Sequence, residues 1–216
     1  MKKAGGLSSG FFVPLKGGHL MTTVYFIRHA QSDTTIHDDR TRPLTEEGLK
    51  DSHLVTACLS SRGIGHILSS PYERTLQTVA LLAETLGLPI ETDEDFRERE
   101  AGGWHGDNFL GYIRAQWEDF SYHIEDGECL ADVQKRNVAA LKRAIRKYQG
   151  QTLAIATHGT ALSTILNYYD RSIGYRNFMR ILDVMPYVVR LDFLEDGRCV
   201  KLQEILLVQK QWRKMK

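Results

Sequence analysis

The chain has 216 residues, enough for one sizeable domain, and its 25% charged and 42% hydrophobic residues are typical of a globular protein. A net charge of +1 gives no electrostatic reason to expect binding to nucleic acid or to an anionic membrane surface. No apolar run approaches the ~18 residues of a membrane span, and three scattered cysteines without a CxxC spacing favour a reducing, cytoplasmic setting.

The N-terminal residues 1–21 contain glycines and serines but no continuous hydrophobic region of the kind that a secretory signal carries. We interpret them as a flexible leader, an extended start upstream of Met21 or an added sequence. A single domain is predicted over residues 22–208, followed by a basic C-terminal tail at residues 209–216.

Two candidate functional residues lie at the end of the first predicted strand. Residues 24–27 are apolar and strand-favouring, and Arg28 and His29 follow them directly. Ligands of open parallel sheets bind at the carboxyl ends of the strands. A lone strand-end histidine is more often a structural, hydrogen-bonded imidazole, so the functional interpretation of His29 depends on partners from other segments.

Helices and strands alternate through the rest of the sequence. After a polar loop at residues 32–43, Thr45 is predicted to cap a helix over residues 46–62, and Pro71 to open a helix that ends at Gly87. The remaining pattern predicts strands at 66–70, 88–92 and 152–157, a loop at 95–106, helices at 107–124, 130–148 and 160–169, and a hairpin of 185–194 and 200–208. This order predicts an α/β fold, a three-layer α/β/α sandwich with a mostly parallel central sheet.

The predicted helix at residues 107–124 carries an apolar, mostly aromatic stripe. Its members recur at helical spacing and would share one face: Phe109, Ile113, Trp117, Phe120 and Ile124. Such a stripe favours ordinary core packing over a lid that contacts substrate.

Three further segments place polar groups where a reactive strand-end histidine would need them. Arg74 lies in the first turn of the helix that follows the second strand, and His158 directly follows the strand at 152–157. The loop at 95–106 carries Glu98 and Glu100. Taken alone, each of these side chains is more often structural or solvent-exposed.

Together these motifs resemble the histidine phosphatase superfamily, the phosphoglycerate-mutase-like proteins, over residues 22–208. Their hallmark is a strand that ends in Arg-His-Gly, here Arg28-His29-Ala30. The resemblance implies that His29 is a nucleophile that forms a phosphohistidine. It also implies that Arg28 and Arg74 bind the phosphoryl group, a role that suits bidentate guanidinium groups, and that His158 donates a hydrogen bond to the same group.

The same resemblance assigns the general acid to Glu98, with Glu100 as the fallback because alignment across charged residues slips easily. It places Gly159 and Thr35 in substrate binding, although Thr35 stands where the family has an asparagine. Ala30 replaces the usual glycine of the hallmark. These departures affect substrate preference more than the basic chemistry.

The function that this resemblance implies is metal-independent hydrolysis of small phosphomonoesters, with no cofactor. Only 22 residues separate Trp104 from Gly127, fewer than in the mutases that cover their site with a long insertion. The alternatives are a phosphoglycerate mutase and a non-catalytic module that binds a phosphorylated ligand. A metal site is not expected, because the other histidines form no ligand cluster: His19, His37, His53, His66, His105 and His123. The expected partner is a small phosphorylated substrate or inorganic phosphate, with no nucleic acid and no membrane.

Overall fold

The computed structural model describes residues 20–103 and 108–210. The predictions for residues 1–19, 104–107 and 211–216, which include Trp104 and His105, lie outside the described residues. The described strands are β1 (Thr22–Arg28), β2 (His66–Ser69), β3 (Ile90–Thr92), β4 (Thr152–Thr157), β5 (Val184–Phe193) and β6 (Cys199–Gln209). The described helices are α1 (Glu46–Leu59), α2 (Glu73–Leu86), α3 (Phe109–Glu118), α4 (Leu130–Lys147), α5 (Gly159–Tyr169) and α6 (Tyr175–Ile181).

The six strands form one sheet in the order β3-β2-β4-β1-β5-β6. The first four in that order run parallel, whereas β5 is antiparallel to β1 and β6 is antiparallel to β5. The predicted α/β class, the mostly parallel sheet and the terminal hairpin are therefore confirmed. Strand β1 lies near the centre of the sheet, so its carboxyl end is flanked by neighbours on both sides.

Both faces of the sheet are covered, because the side chains of β1 alternate between two apolar clusters. Val24 and Phe26 belong to the cluster that contains residues of α4 and α5. Tyr25 and Ile27 belong to the cluster that contains residues of α1 and α2. All four side chains are buried. This arrangement gives the predicted three layers and holds the end of β1 rigidly.

The predicted helix at residues 107–124 is wrong in its length, since α3 ends at Glu118. The backbone turns extended at Asp119, whose carboxylate accepts hydrogen bonds from the backbone and hydroxyl of Ser121. This local turn competes with continuation of the helix. Phe120 and Ile124 of the predicted stripe consequently fall outside α3, and Phe109 is 41% exposed. Ile113 and Trp117 pack against α6, as core packing requires.

Helix α6 was not predicted, because its seven residues are too short to show a clear apolar period. Its start is stabilised by Asn177, whose side-chain oxygen accepts a hydrogen bond from the backbone of Gly174. Smaller differences occur at α1, which ends at Leu59, and at α2, which begins at Glu73. A short 3-10 helix at Glu94–Phe96 overlaps the predicted loop. Across the described chain, no helix combines the length and the hydropathy needed to cross a membrane.

Candidate active site

The carboxyl ends of two neighbouring parallel strands bring two histidines together. Arg28, the last residue of β1, pairs with Thr157, the last residue of β4, and the backbone of His29 donates to the carbonyl of Thr157 over 3.1 Å. His29 and His158 therefore leave the sheet side by side. Their rings meet edge to face with 5.3 Å between centroids, and both side chains are buried.

The hydrogen bond made by His29 fixes which ring nitrogen is free. Nδ1 of His29 lies 2.6 Å from the backbone carbonyl of Ala30. Because a carbonyl can only accept, Nδ1 carries the proton and a neutral ring leaves the lone pair on Nε2. Burial, together with the positive charges of Arg74 and Arg28, holds the pKa of His29 well below 6.5. His29 is thus a neutral imidazole with an available lone pair near neutral pH.

His158 is held by a hydrogen bond from the neighbouring strand end. Its Nε2 lies 2.8 Å from the hydroxyl oxygen of Ser70, which follows β2. Nδ1 of His158 is buried without a hydrogen-bond partner among the described residues. Burial and the charge of Arg74 hold the pKa of His158 well below 6.5. The second imidazole therefore has one ring nitrogen without a protein partner in the described chain.

Arg28 is fixed by the chain around it. One terminal nitrogen, Nη1, donates to three backbone carbonyls at the junction of α6 and β5, those of Ile181, Leu182 and Val184. The predicted site residue Gly159 packs against the guanidinium, and a Cβ there would lie 3.1 Å from Cζ and Nε of Arg28. Nε is buried and has no partner in the described chain. Burial lowers the pKa of Arg28 to about 10, against the opposing carboxylates of Glu98 and Asp183.

Arg74 lies in the first turn of α2, where it is buried and bonded to Asp39. Nη1 donates to the backbone carbonyl of Asp39, and Nη2 lies 3.3 Å from its carboxylate. The guanidinium also lies 5.0 Å from the ring centroid of Tyr72, a cation–π distance. The Asp39 carboxylate additionally pairs with Arg42 at 2.9 Å. The bonds to Asp39 engage one N–H on each terminal nitrogen, so the guanidinium, which has five N–H donors, keeps others for an anion.

Removal of the Arg74 charge is expected to shift the titration of both histidines. Burial and then the Arg74 cation are the largest causes that disfavour the imidazolium form at His29 and at His158. In Arg74→Gln we expect both pKa values to rise toward 6.5, whereas in the wild type both rings stay neutral as the pH falls through 6.5. Histidine ring NMR resonances followed over pH measure this. Identical titration of the two proteins would contradict the assigned electrostatic cause.

Glu98 reaches the site at the N-terminus of α5. Its Oε2 accepts from the backbone of Thr160 at 3.1 Å, and its Oε1 accepts from Ala161 at 3.1 Å and Arg99 at 2.8 Å. His158 is the N-cap of the same helix, so the carboxylate lies within the first turn after that histidine. The fallback candidate Glu100 instead has a 57% exposed side chain paired with Arg97. The structure therefore favours Glu98 as the site carboxylate.

Thr35 is the predicted residue that the structure does not bring to the histidines. It lies in the exposed part of the loop at 32–43, and both its backbone and its hydroxyl donate to the carboxylate of Asp33. These bonds build a local turn. Sequence reasoning missed Ser70 and Asp39. Ser70 ends the predicted strand at 66–70, and its place at the carboxyl end of a strand is the signal that could have identified it. The contact of Asp39 depends on the path of the loop.

The assembled site is a pair of neutral imidazoles beside two buried guanidinium groups, with a carboxylate within one helical turn. Guanidinium groups bind phosphate oxygens through parallel hydrogen bonds, so the arrangement suits a phosphorylated ligand. In the described ranges, which omit residues 1–19, 104–107 and 211–216, no group of three or more potential ligand side chains is placed to hold a metal ion.

The class defined by this fold and site has a known counterpart. The profile of the histidine phosphatase superfamily (branch 1) matches residues 24–202, and the chain belongs to that superfamily. A probable phosphoglycerate mutase GpmB from Yersinia pestis is 30% identical over 159 residues, which cover 68% of this chain and 74% of the relative.

Solved structures share the fold. The structure of YhfR from Bacillus stearothermophilus has a TM-score of 0.68 at 24% identity. The match covers 82% of this chain and 94% of the YhfR chain. The structure of a mycobacterial glucosyl-3-phosphoglycerate phosphatase has a TM-score of 0.69 at 18% identity. The match covers 88% of this chain and 100% of the phosphatase chain. The match to the superfamily profile confirms the predicted superfamily, and these structures confirm the predicted fold.

Proposed function

We propose that the chain is a metal-independent phosphomonoester hydrolase that acts through a phosphohistidine on small phosphorylated metabolites. The observation that carries the proposal is the state of His29. Its Nδ1 proton is committed to the carbonyl of Ala30, its ring is neutral, and Arg28 and Arg74 lie beside it. A neutral imidazole with one fixed tautomer is the form that can attack phosphorus.

In the first step the lone pair of His29 Nε2 forms a bond to phosphorus while the ester P–O bond breaks. The phosphoryl oxygens carry the charge of the transition state, and Arg28, Arg74 and His158 are assigned to bind them. Positioning and electrostatic stabilisation supply most of the acceleration of such a transfer. Gly159 supports this step by leaving room for the Arg28 guanidinium.

Glu98 is assigned to move the proton in both steps. The leaving oxygen takes a proton from the Glu98 carboxyl in the first step. In the second step the same carboxylate accepts a proton from water, whose oxygen bonds to phosphorus as the P–N bond to His29 breaks. Oε2 accepts one backbone hydrogen bond whereas Oε1 accepts two, so Oε2 has the free position for that proton.

Hydrolysis is favoured over a mutase reaction by the short stretch between Trp104 and Gly127, 22 residues. A mutase must hold a bisphosphate intermediate and exclude water while that intermediate turns, which requires a cover. The similar proteins include a probable mutase and a phosphatase, so they support either reaction. The mutase is therefore the second candidate function.

Incubation with 3-phosphoglycerate in the presence of a chelator distinguishes the two reactions. We expect release of inorganic phosphate and no accumulation of the 2-phospho isomer, measured by phosphate assay and phosphorus NMR. Isomerisation without net phosphate release would support the mutase. Tight binding of phosphate esters without turnover of any of them, including aryl phosphates, would instead support a binding module.

A further inference from the structure

The segment that carries Glu98 is held by side chains. After the 3-10 helix at Glu94–Phe96 it has no regular structure. Four consecutive backbone carbonyls, two in that helix and two after it, accept hydrogen bonds from side chains. Thr157 donates to the carbonyl of Phe96 at 2.8 Å. Arg136 of α4 donates to the other three, those of Asp95 at 3.0 Å, Arg97 at 2.8 Å and Glu98 at 2.9 Å.

Arg136 uses all of its donors in this one place. Its Nε and Nη2 each donate to a carboxylate oxygen of Glu128 at 2.8 Å, and the other three N–H groups reach the carbonyls of the segment. A guanidinium has five N–H donors in a fixed plane, and all five are accounted for. A lysine has three donors around one atom and cannot reproduce the pattern.

Glu128 completes the attachment from the other side of the segment. Its carboxylate accepts from the side chain of Arg97 at 2.9 Å and from the backbone of Glu100 at 3.0 Å, and its own backbone donates to the Glu100 carbonyl at 2.8 Å. Burial opposes ionisation of this carboxyl, but hydrogen bonds from Arg136 and Glu100 outweigh it, so the pKa of Glu128 lies below its usual range. Glu128 is thus a charged anchor for Arg136.

We infer that Arg136, anchored by Glu128, is a positioning residue that sets the place of the Glu98 carboxyl relative to the ester oxygen. The inference rests on the proposed function, in which Glu98 protonates the leaving group. Arg136 bonds the carbonyl of Glu98 itself, so its loss frees the backbone that carries the acid. A displacement of about 1 Å at a catalytic group can cost ~10²-fold in rate.

The test compares two aryl phosphates in Arg136→Lys. Dinitrophenyl phosphate has a leaving group that needs no proton, whereas phenyl phosphate depends on the acid. We expect kcat/KM to fall roughly 10- to 100-fold for phenyl phosphate and by less than about threefold for dinitrophenyl phosphate. The ratio of the two constants is independent of the folded fraction, so partial unfolding of the variant cannot produce the result.

Arg143→Lys is the matched control. Arg143 lies on the same helix two turns later, has a 48% exposed side chain, and pairs with the carboxylates of Asp93 and Asp95. It should leave the ratio of the two substrates unchanged. Equal loss for both substrates in Arg136→Lys, or no loss for either, would overturn the inference while the proposed function stands. If the wild type hydrolyses neither ester, the proposed function fails and the inference fails with it.

Discussion

His29→Ala is expected to abolish hydrolysis of a generic aryl phosphate, with chelator present throughout. Nε2 of this imidazole supplies the electron pair of the P–N bond. Among the described site residues, His29 is the one whose other ring nitrogen is held by a backbone carbonyl. Loss of a covalent nucleophile that acts as part of a unit costs on the order of 10⁴-fold or more in kcat. Phosphate release under steady-state conditions measures this loss.

The same substitution should remove a trapped intermediate. After quenching, a radioactive phosphate label on the wild-type chain that is lost in acid but survives in base would mark a phosphohistidine. The His29→Ala chain should carry no such label. His53→Ala, on the exposed side of α1, is the matched histidine control and should retain both activity and label. Activity of His29→Ala within about tenfold of the wild type would be incompatible with the nucleophilic role.

The places of the two site histidines at strand ends follow from local sequence. His29 and His158 each come directly after a buried apolar strand, and parallel strands that pair end at one edge of a sheet. The position of Arg74 follows in the same way from the helix start after β2. The pairing of β4 with β1 is a long-range contact that local pattern does not fix. Before the structure, only the resemblance to the superfamily brings these residues together.

The rest of the site depends on loops whose paths the sequence pattern does not encode. The hydrogen bonds of Arg136 to the carbonyls near Glu98 join positions about forty residues apart, and a backbone carbonyl leaves no mark in a sequence. Asp39 meets Arg74 for the same reason, through a contact between a loop and a helix. Thr35 was placed by alignment to an asparagine, yet its shorter side chain bonds Asp33 locally.

The end of α3 shows a related limit. An apolar stripe continues beyond Glu118 in the sequence, but Asp119 and Ser121 form a turn that breaks the helix. Periodicity therefore predicts that a helix exists more reliably than where it ends, because a single side-chain acceptor can replace the backbone acceptor at its last turn.

Glu98→Gln is expected to slow hydrolysis of phenyl phosphate by ~10²–10⁴-fold, the usual contribution of a general acid. Glutamine keeps one carbonyl oxygen to accept from Ala161 and Arg99, whereas its amide nitrogen cannot accept from Thr160, so the variant loses the transferable proton together with one hydrogen bond. The loss should be far smaller with dinitrophenyl phosphate. Steady-state kcat/KM for both esters, compared over the same pH range, measures it.

Glu100→Gln decides between the two carboxylates that the sequence left open. The Glu100 side chain is 57% exposed and pairs with Arg97, and its backbone, not its carboxylate, bonds Glu128. Exposed ion pairs contribute little, so we expect less than about a threefold change in kcat/KM for phenyl phosphate. A larger loss in Glu100→Gln than in Glu98→Gln would reassign the acid to Glu100. Because Arg136 bonds the carbonyl of Glu98 and not that of Glu100, that result would also remove the geometric basis for its positioning role.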